Sequence, residues 1–303
     1  FLLRTHDCFL STKGKIITQS TQAASNHTTR CELPELPEVE TTRRGIEPHI
    51  ENNKVSKVIL RRKTLRWPIT PALSKDLPGE TIQSVSRRGK YLLLATQKGC
   101  LLIHLGMSGS LRIVESSRAA AKHDHVDVVF ANNKVLRYTD PRRFGCILWE
   151  TEPIEAHSLL ASLGPEPLEG NFHTDYLFKK SRSRNVAVKT FIMDSKVVVG
   201  VGNIYANESL FLAGISPKRS AGKISKPRYE KLVECIQQVL QRAIDVGGTT
   251  LKDFTGSDGE PGYFAQSLHV YGRRGEPCYG CNGTLKEIRQ GQRSTVYCSQ
   301  CQK

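Results

Sequence analysis

Pro34-Glu35-Leu36-Pro37-Glu38-Val39-Glu40 is the stretch on which the reading turns. Pro37 can open a helix, with Glu38 and Glu40 in a first turn where the helix dipole favours carboxylates. Pro34 and Glu35 then stand ahead of the helix, and the helix does not explain them. Inside a chain the proline nitrogen is an amide, but as a first residue it is a secondary amine. A terminal amine has a reference pKa near ~8 against ~10.4 for lysine, so far more of it is neutral at pH 7. When a secondary amine adds to a sugar aldehyde carbon, the iminium cannot lose its charge by deprotonation and remains an electron sink for elimination. Glu35 is placed to move the protons. The pair predicts a nucleophile with its acid–base partner, on condition that Pro34 is released from the 33 residues before it.

Outward from this stretch, Val39, Ile46 and Ile50 share one face of a short helix whose end Gly45 and Pro48 weaken. Eight segments come next: VSKVILRR, TIQSVSRRG, KYLLLATQ, CLLIHLG, SLRIVE, HVDVVFA, KVLRYTD and CILWE. They are short, often alternating and separated by Gly, Asn, Lys or Pro clusters, which predicts a β-sandwich or barrel. The composition shifts at LGPEPLEG, and the chain beyond it is helical in pattern. Ser225 stands where it can cap a helix in which Tyr229, Leu232, Val233, Ile236, Val239, Leu240, Ala243 and Ile244 keep helical spacing up to Gly247-Gly248. Between VAVKTFIMD and NIYANESLFLAG, the turn Gly200-Val201-Gly202-Asn203 offers the free N–H groups of a helix start. It reads either as a phosphate seat or as a plain connector. At the other end, Cys278-x2-Cys281 and Cys298-x2-Cys301 lie sixteen residues apart. That is the spacing of two knuckles closing one tetrahedral, structural zinc site. The hairpin between them, with Lys286, Arg289 and Arg293, is suited to a nucleic acid.

With 303 residues the chain has room for two domains, and 38% apolar with 24% charged residues is ordinary for a globular protein. A net charge of +15 predicts a polyanionic partner. No apolar run reaches membrane-span length, and Arg4, His6 and Asp7 break the opening FLLRTHDCFL before a signal-peptide core forms, so a cytoplasmic monomer is expected. Four of the nine cysteines fall in the last 26 residues and read as metal ligands, with no disulfide expected.

From Pro34 to Lys303 the chain closely resembles bacterial formamidopyrimidine-DNA glycosylase. The likeness runs through PELPEVETTRRGIEPH, LRWP, RRGKYLLL, HLGMSGSLR, KHDHVD, VLRYTDPRRFG, LGPEPL, VVGVGNIYANESLF, GGTTLKDF, PGYFAQ, VYGRRGEPC and the four cysteines. It implies an α+β multidomain fold. The parts are an N-terminal β-sandwich with the catalytic helix (34–163), a helix-two-turn-helix domain (164–267) and a C-terminal zinc ribbon (268–303), with damaged double-stranded DNA in the cleft. Residues 1–33 are read as an unstructured or non-native extension.

Position by position, the resemblance implies that Pro34 is the Schiff-base nucleophile and Glu35 the acid–base residue, with Glu38 in the network around them. It implies that Lys90 assists β-elimination and that Arg293 contacts DNA and joins the later elimination. His123, Arg142, Arg184, Lys189 and Asn203 match DNA-contacting positions. Met107 and Phe144 sit in glycine-rich loops, poor places for a core, and read as wedges that fill the gap left by an extruded base while Arg142 reads its orphaned partner. A loop from Thr249 to Phe264, with Lys252 and Tyr263, would close over the lesion.

The expected activity is removal of oxidised purines followed by β,δ-elimination. Three alternatives stay open: an endonuclease VIII-like enzyme for oxidised pyrimidines, a non-catalytic DNA-binding protein in which the extension locks Pro34 in an amide, and a generic zinc-ribbon binder. PELPEVE with PRRFG and TLKDF favours the purine enzyme. Leu33 occupies the place of an initiator methionine, and the first Met is Met107. The expectation is that Leu33 is a non-AUG start whose methionine is removed to free Pro34, residues 1–32 being upstream sequence. The other possibilities are an extension cleaved before Pro34 and one that is retained and disabling.

Overall fold

Helix α1 (Leu36–Ile50) begins at the predicted place, with Pro37 in its first turn, and the backbone N–H of Glu35 donates to Glu38 Oε2 at 2.9 Å. The computed structural model describes residues 34–248 and 267–303. Where the sequence suggested a short helix, α1 runs through Gly45 and Pro48 for 15 residues. Its inner face, Leu36, Val39, Ile46 and Ile50, is fully buried. Burying two more large aliphatic side chains is worth roughly 1.5–3 kcal/mol each, comparable to the ~1 and ~3 kcal/mol that an interior glycine and proline cost.

All eight expected strands form: β1 (Val55–Leu60), β2 (Ser84–Arg88), β3 (Tyr91–Ala95), β4 (Cys100–His104), β5 (Ser110–Glu115), β6 (Asp124–Phe130), β7 (Lys134–Thr139) and β8 (Cys146–Glu150). A short helix α2 (Ala72–Asp76), not foreseen, lies between β1 and β2. The strands make two four-stranded antiparallel sheets, β1-β6-β7-β5 and β2-β3-β4-β8. The period-2 pleat gives β3 and β4 two buried faces. Leu92, Leu94, Leu101 and Ile103 enter the core shared with α1. Leu93, Cys100 and Leu102 pack behind it with Cys146 and Leu160. This double burial explains why those strands are apolar without interruption.

The second half holds α3 (Thr174–Ser181), α4 (Val188–Ile192), α5 (Asn203–Leu212) and α6 (Lys226–Asp245) around a core of their own. Ser225 takes the N-cap position of α6 with extended backbone, but its side chain makes no capping bond. The helix ends at Gly247 and Gly248, both at positive φ of about 80°. Strands β9 (Lys286–Gln290) and β10 (Arg293–Tyr297) form the ribbon hairpin, closed by Gly291 and Gln292 at φ 53° and 63°. The ribbon is tied to α5 through Asn207 Oδ1, which accepts from Val296 N at 2.9 Å. Glu208 strengthens the join by accepting from the backbone of Val270 and Tyr271. Among the described residues, no helix is long and apolar enough to cross a membrane.

Buried charge makes the fold acid-sensitive. Burial works to raise the Glu40 carboxyl, but hydrogen bonds from Arg43, Arg44 and Arg87 hold it below its ordinary 4.5. Asp127 is likewise opposed by burial and held below 3.8 by Arg137 and Arg61. Burial, with Lys90 and Arg66 nearby, brings the His104 imidazole down to about 4. The two carboxylates contribute stability above their unfolded values and lose it as pH falls through the folded ones. An unfolded His104 gains its proton below about 6.5 while the folded one resists to about 4, so folding weakens across that window too. The melting temperature is expected to be level between about pH 7 and 8, to fall below about 6.5 and to fall more steeply below about 4.5. The histidine should account for on the order of 2–3 kcal/mol, and His104→Asn should flatten the upper part of the curve in calorimetric melts.

Candidate active site

Pro34 and Glu35 lie where α1 meets the start of α5. Helix α5 has no acidic residue in its first turn and no side-chain cap from Gly202. Its free N–H groups are met instead by Glu35: Oε2 accepts from Gly202 N at 2.8 Å and Tyr205 N at 3.4 Å, and Oε1 from Ile204 N at 2.9 Å. This corrects the reading of the glycine turn as a phosphate seat, because a carboxylate of the chain occupies those donors. Two glycines make the approach possible. Gly200 sits at φ +80°, where a Cβ would press on Leu36, and a Cβ on Gly202 would overlap the Glu35 carboxylate. The backbone closes the contact, Leu36 N donating to Gly200 O at 3.2 Å. Glu38 is the hub of the next layer, taking the Tyr205 hydroxyl at 2.6 Å as well as the Glu35 amide.

Lys90 stands at the tip of the β2–β3 turn, and a carboxylate that sequence reading passed over shapes that turn. Glu166 accepts from Gly89 N at 2.6 Å and pairs with Arg87 and Arg88 at 2.7 and 3.0 Å. Arg87 continues to Glu40 at 3.1 Å, so an ion-pair chain joins α1, β2 and the LGPEPL connector. Glu166 was hidden in what read as proline-and-glycine punctuation; its only local signal was a carboxylate between two prolines. Lys90 lines a cavity of about 190 Å³ with Tyr91, His104, Met193 and Gly200. Met193 also lines a larger cavity of about 610 Å³, whose other walls include Lys180, Arg184, Lys196 and Arg293. Arg184 and Arg293 are therefore brought to the wall of one cavity, which shares Met193 with the cavity at Lys90. Both are exposed.

Lys189 and Asn203 meet in a buried hydrogen-bond network. Lys189 is 1% exposed, and its ammonium donates to Asn203 Oδ1, Ser294 O and Thr295 Oγ1 at 2.6, 2.8 and 2.7 Å. A buried ammonium needs such acceptors, and these three tie α4, the start of α5 and the ribbon hairpin together. Asn203 is also buried. On the sandwich, Met107 is half-buried in the β4–β5 loop, His123 half-buried before β6, and Arg142 and Phe144 are exposed in the β7–β8 loop. Phe144 is 50% exposed, which removes the core reading for it. The loop expected to cover the lesion, Thr249 to Phe264, lies outside the described residues, Lys252 and Tyr263 included.

In the ribbon, the sulfurs of Cys278, Cys281, Cys298 and Cys301 all lie within 4.8 Å of one another. A tetrahedral zinc with bonds of about 2.3 Å sets its sulfurs about 3.8 Å apart, so the cluster fits one ion. Four thiolates close the coordination shell, which suits a structural metal.

Fold and site together define the class of helix-two-turn-helix DNA glycosylases with a C-terminal zinc ribbon. Residues 33–147 match the formamidopyrimidine-DNA glycosylase N-terminal domain, 163–255 the H2TH domain of the same enzyme, and 275–303 the zinc finger found in FPG and IleRS. A formamidopyrimidine-DNA glycosylase of Stutzerimonas stutzeri is 60% identical over 271 residues, 89% of this chain and all of that protein. Among solved structures, the Lactococcus lactis Fpg complex with abasic-site DNA superposes with a TM-score of 0.82 at 34% identity, over 89% of this chain and 99% of that one. The MutM (FPG) protein of Thermus thermophilus gives 0.80 at 34% identity, over 89% and 98%. The chain belongs to the formamidopyrimidine-DNA glycosylase family, and its four cysteines hold one structural zinc ion.

Removing the zinc is expected to loosen the hairpin that carries Arg293, weakening damaged-duplex binding while leaving the amine in place. Arg293→Ala should weaken that binding by about tenfold, the value of one charged hydrogen bond. Gel-shift titrations with and without chelator check both, alongside metal analysis; full binding by zinc-free protein would contradict the assignment.

Proposed function

We propose that the chain excises oxidised purines, 8-oxoguanine and formamidopyrimidines, from double-stranded DNA and then cleaves the strand by β,δ-elimination, with Pro34 as nucleophile. The observation that carries the residue roles is the docking of Glu35 on the α5 start, which fixes the residue next to Pro34. In this reading the freed Pro34 nitrogen attacks C1′ and the bond to the base breaks. Glu35, whose oxygens already face donors, takes the proton that the amine sheds and passes it to the sugar ring oxygen as the ring opens. The resulting iminium makes the C2′ proton removable; loss of the 3′ and then the 5′ phosphate completes the cleavage, with Lys90 and Arg293 assisting.

His123, Arg142 and Arg184 would contact the DNA, and Met107 and Phe144 would fill the space of the extruded base while Arg142 faces its partner. Lys189 and Asn203 serve this surface from below by joining α5 to the ribbon. The division at 163/164 is supported by packing, since Leu163 sits against the sandwich cluster and Leu168 against the helical one. The other proposed limits are 33/34 and 267/268. A cytoplasmic monomer acting on DNA is the setting in which this chemistry is proposed. The zinc supplies no chemistry to the reaction; it holds the hairpin.

Glu35→Gln tests the assignment. The amide cannot accept a proton and cannot satisfy every donor that the carboxylate meets. Base excision is expected to fall by about a hundredfold or more, within the range for losing a general acid–base group. Cleavage of a duplex that already carries an abasic site should fall far less, because no base has to leave. Equal loss on both duplexes would make Glu35 a structural residue only.

A further inference from the structure

Asp140, at the end of β7, is completely buried, and the proposed chemistry makes no use of it. Its Oδ1 accepts from the Ser108 hydroxyl at 3.1 Å and from Arg142 N at 3.2 Å. Its Oδ2 accepts from the Tyr138 hydroxyl at 3.2 Å and from Gly145 N at 2.9 Å. Its own backbone joins the next strand, N donating to His123 O at 3.0 Å and O accepting from His125 Nε2 at 2.8 Å. Ser108 adjoins Met107, while Arg142 and Gly145 bracket Phe144.

We propose that Asp140 is the positioning residue for entry into the duplex: a single buried carboxylate clamps the Met107 loop to the Arg142–Phe144 loop, so that the three side chains act as one rigid wedge. The proposal rests on the reading of those three as the duplex-entering group and adds what holds them in register. An ionised carboxylate is an acceptor only, and both of its oxygens are used here on two donors each. No other side chain of this size offers that geometry. The amide of an asparagine would turn one end into a donor facing donors, leaving buried N–H or O–H groups unmet.

The surroundings support the clamp. Tyr138 is kept protonated, burial and then the Asp140 charge raising its pKa, so its hydroxyl stays a donor. The loops also touch through backbone: a Cβ on Gly106 would overlap Gly145, and one on Gly145 would overlap the Tyr138 hydroxyl. Between the clamp's two attachments, Arg143 takes φ +57°, a left-handed conformation that a non-glycine residue adopts at some cost. That conformation lies between the outward-facing Arg142 and Phe144. Extruding a base costs a few kcal/mol, and inserted side chains offset it only if they arrive together; loops that moved independently would lose much of that gain to ordering.

The test uses the full-chain, zinc-loaded protein with two duplexes, one carrying a paired oxidised purine and one an abasic site. A third readout is 2-aminopurine placed beside the lesion, whose fluorescence rises when the stack is opened. Asp140→Asn is expected to lower excision of the paired lesion by about tenfold or more and to abolish the fluorescence rise, while abasic-site cleavage stays within about twofold. Ser108→Ala and Tyr138→Phe each remove one attachment, and each should shift the ratio of the two activities in the same direction by less. They carry the test if Asp140→Asn does not fold. Equal losses on both duplexes, or an intact fluorescence rise, would overturn the clamp. Met107→Ala run in parallel separates the two ideas. If it leaves the ratio unchanged, the wedge reading fails; if it lowers the ratio while Asp140→Asn does not, only the clamp fails.

Discussion

The carboxylate of Glu35 against the first N–H groups of α5 is the contact on which the rest of the site depends. A helix start leaves donors that must be met, and α5 has no cap of its own. The cap arrives from a residue 167 positions earlier in the chain. The same bond therefore completes a helix in one half of the protein and fixes the end of a helix in the other. It sets the residue beside Pro34 in a defined place. Neither Gly200 nor Gly202 could carry a side chain without pushing this contact apart, which makes the glycine turn a steric condition of the site.

Around this contact the charge is arranged in closed chains. Glu40, Arg87 and Glu166 run from α1 through β2 to the connector, and Glu166 holds the turn that presents Lys90. Lys189 does the same for the ribbon, drawing Thr295 and Ser294 against Asn203. Removing one member of the Glu40–Arg87–Glu166 set leaves a buried charge unpaired, typically at a cost of about 3–5 kcal/mol. Arg184 and Arg293 stay exposed and line one cavity with Lys180 and Lys196.

Local features were the ones legible in the sequence. The strands carry their own period, including β3 and β4, whose unbroken apolar runs report burial on both faces. The four cysteines carry their spacing, and their sulfurs do gather. Long-range partners left no such trace. Gly200-Val201-Gly202-Asn203 stayed open between a phosphate seat and a connector because its occupant, Glu35, is far away in the chain. Lys189 was singled out by the resemblance alone, and the three acceptors that bury it left no local signal. The end of α1 was read as weak because Gly45 and Pro48 are visible in sequence and the sandwich surface that holds Ile46 and Ile50 is not.

Borohydride trapping on abasic DNA, comparing the wild type with Gly202→Ala, tests the central claim most directly. The backbone of Gly202, at φ −108° and ψ −155°, accepts alanine, so the added methyl acts through the Glu35 side chain and not through backbone strain. Glu35→Gln keeps the shape of the contact, whereas this methyl displaces it and moves the residue beside Pro34. Wild-type protein with a free Pro34 is expected to give a covalent adduct that peptide mapping places on Pro34. Gly202→Ala is expected to form that adduct at least about tenfold more slowly, a barrier change of about 1.4 kcal/mol, at nearly unchanged affinity for the duplex. An adduct on another residue, or trapping by Gly202→Ala at the wild-type rate, would contradict it.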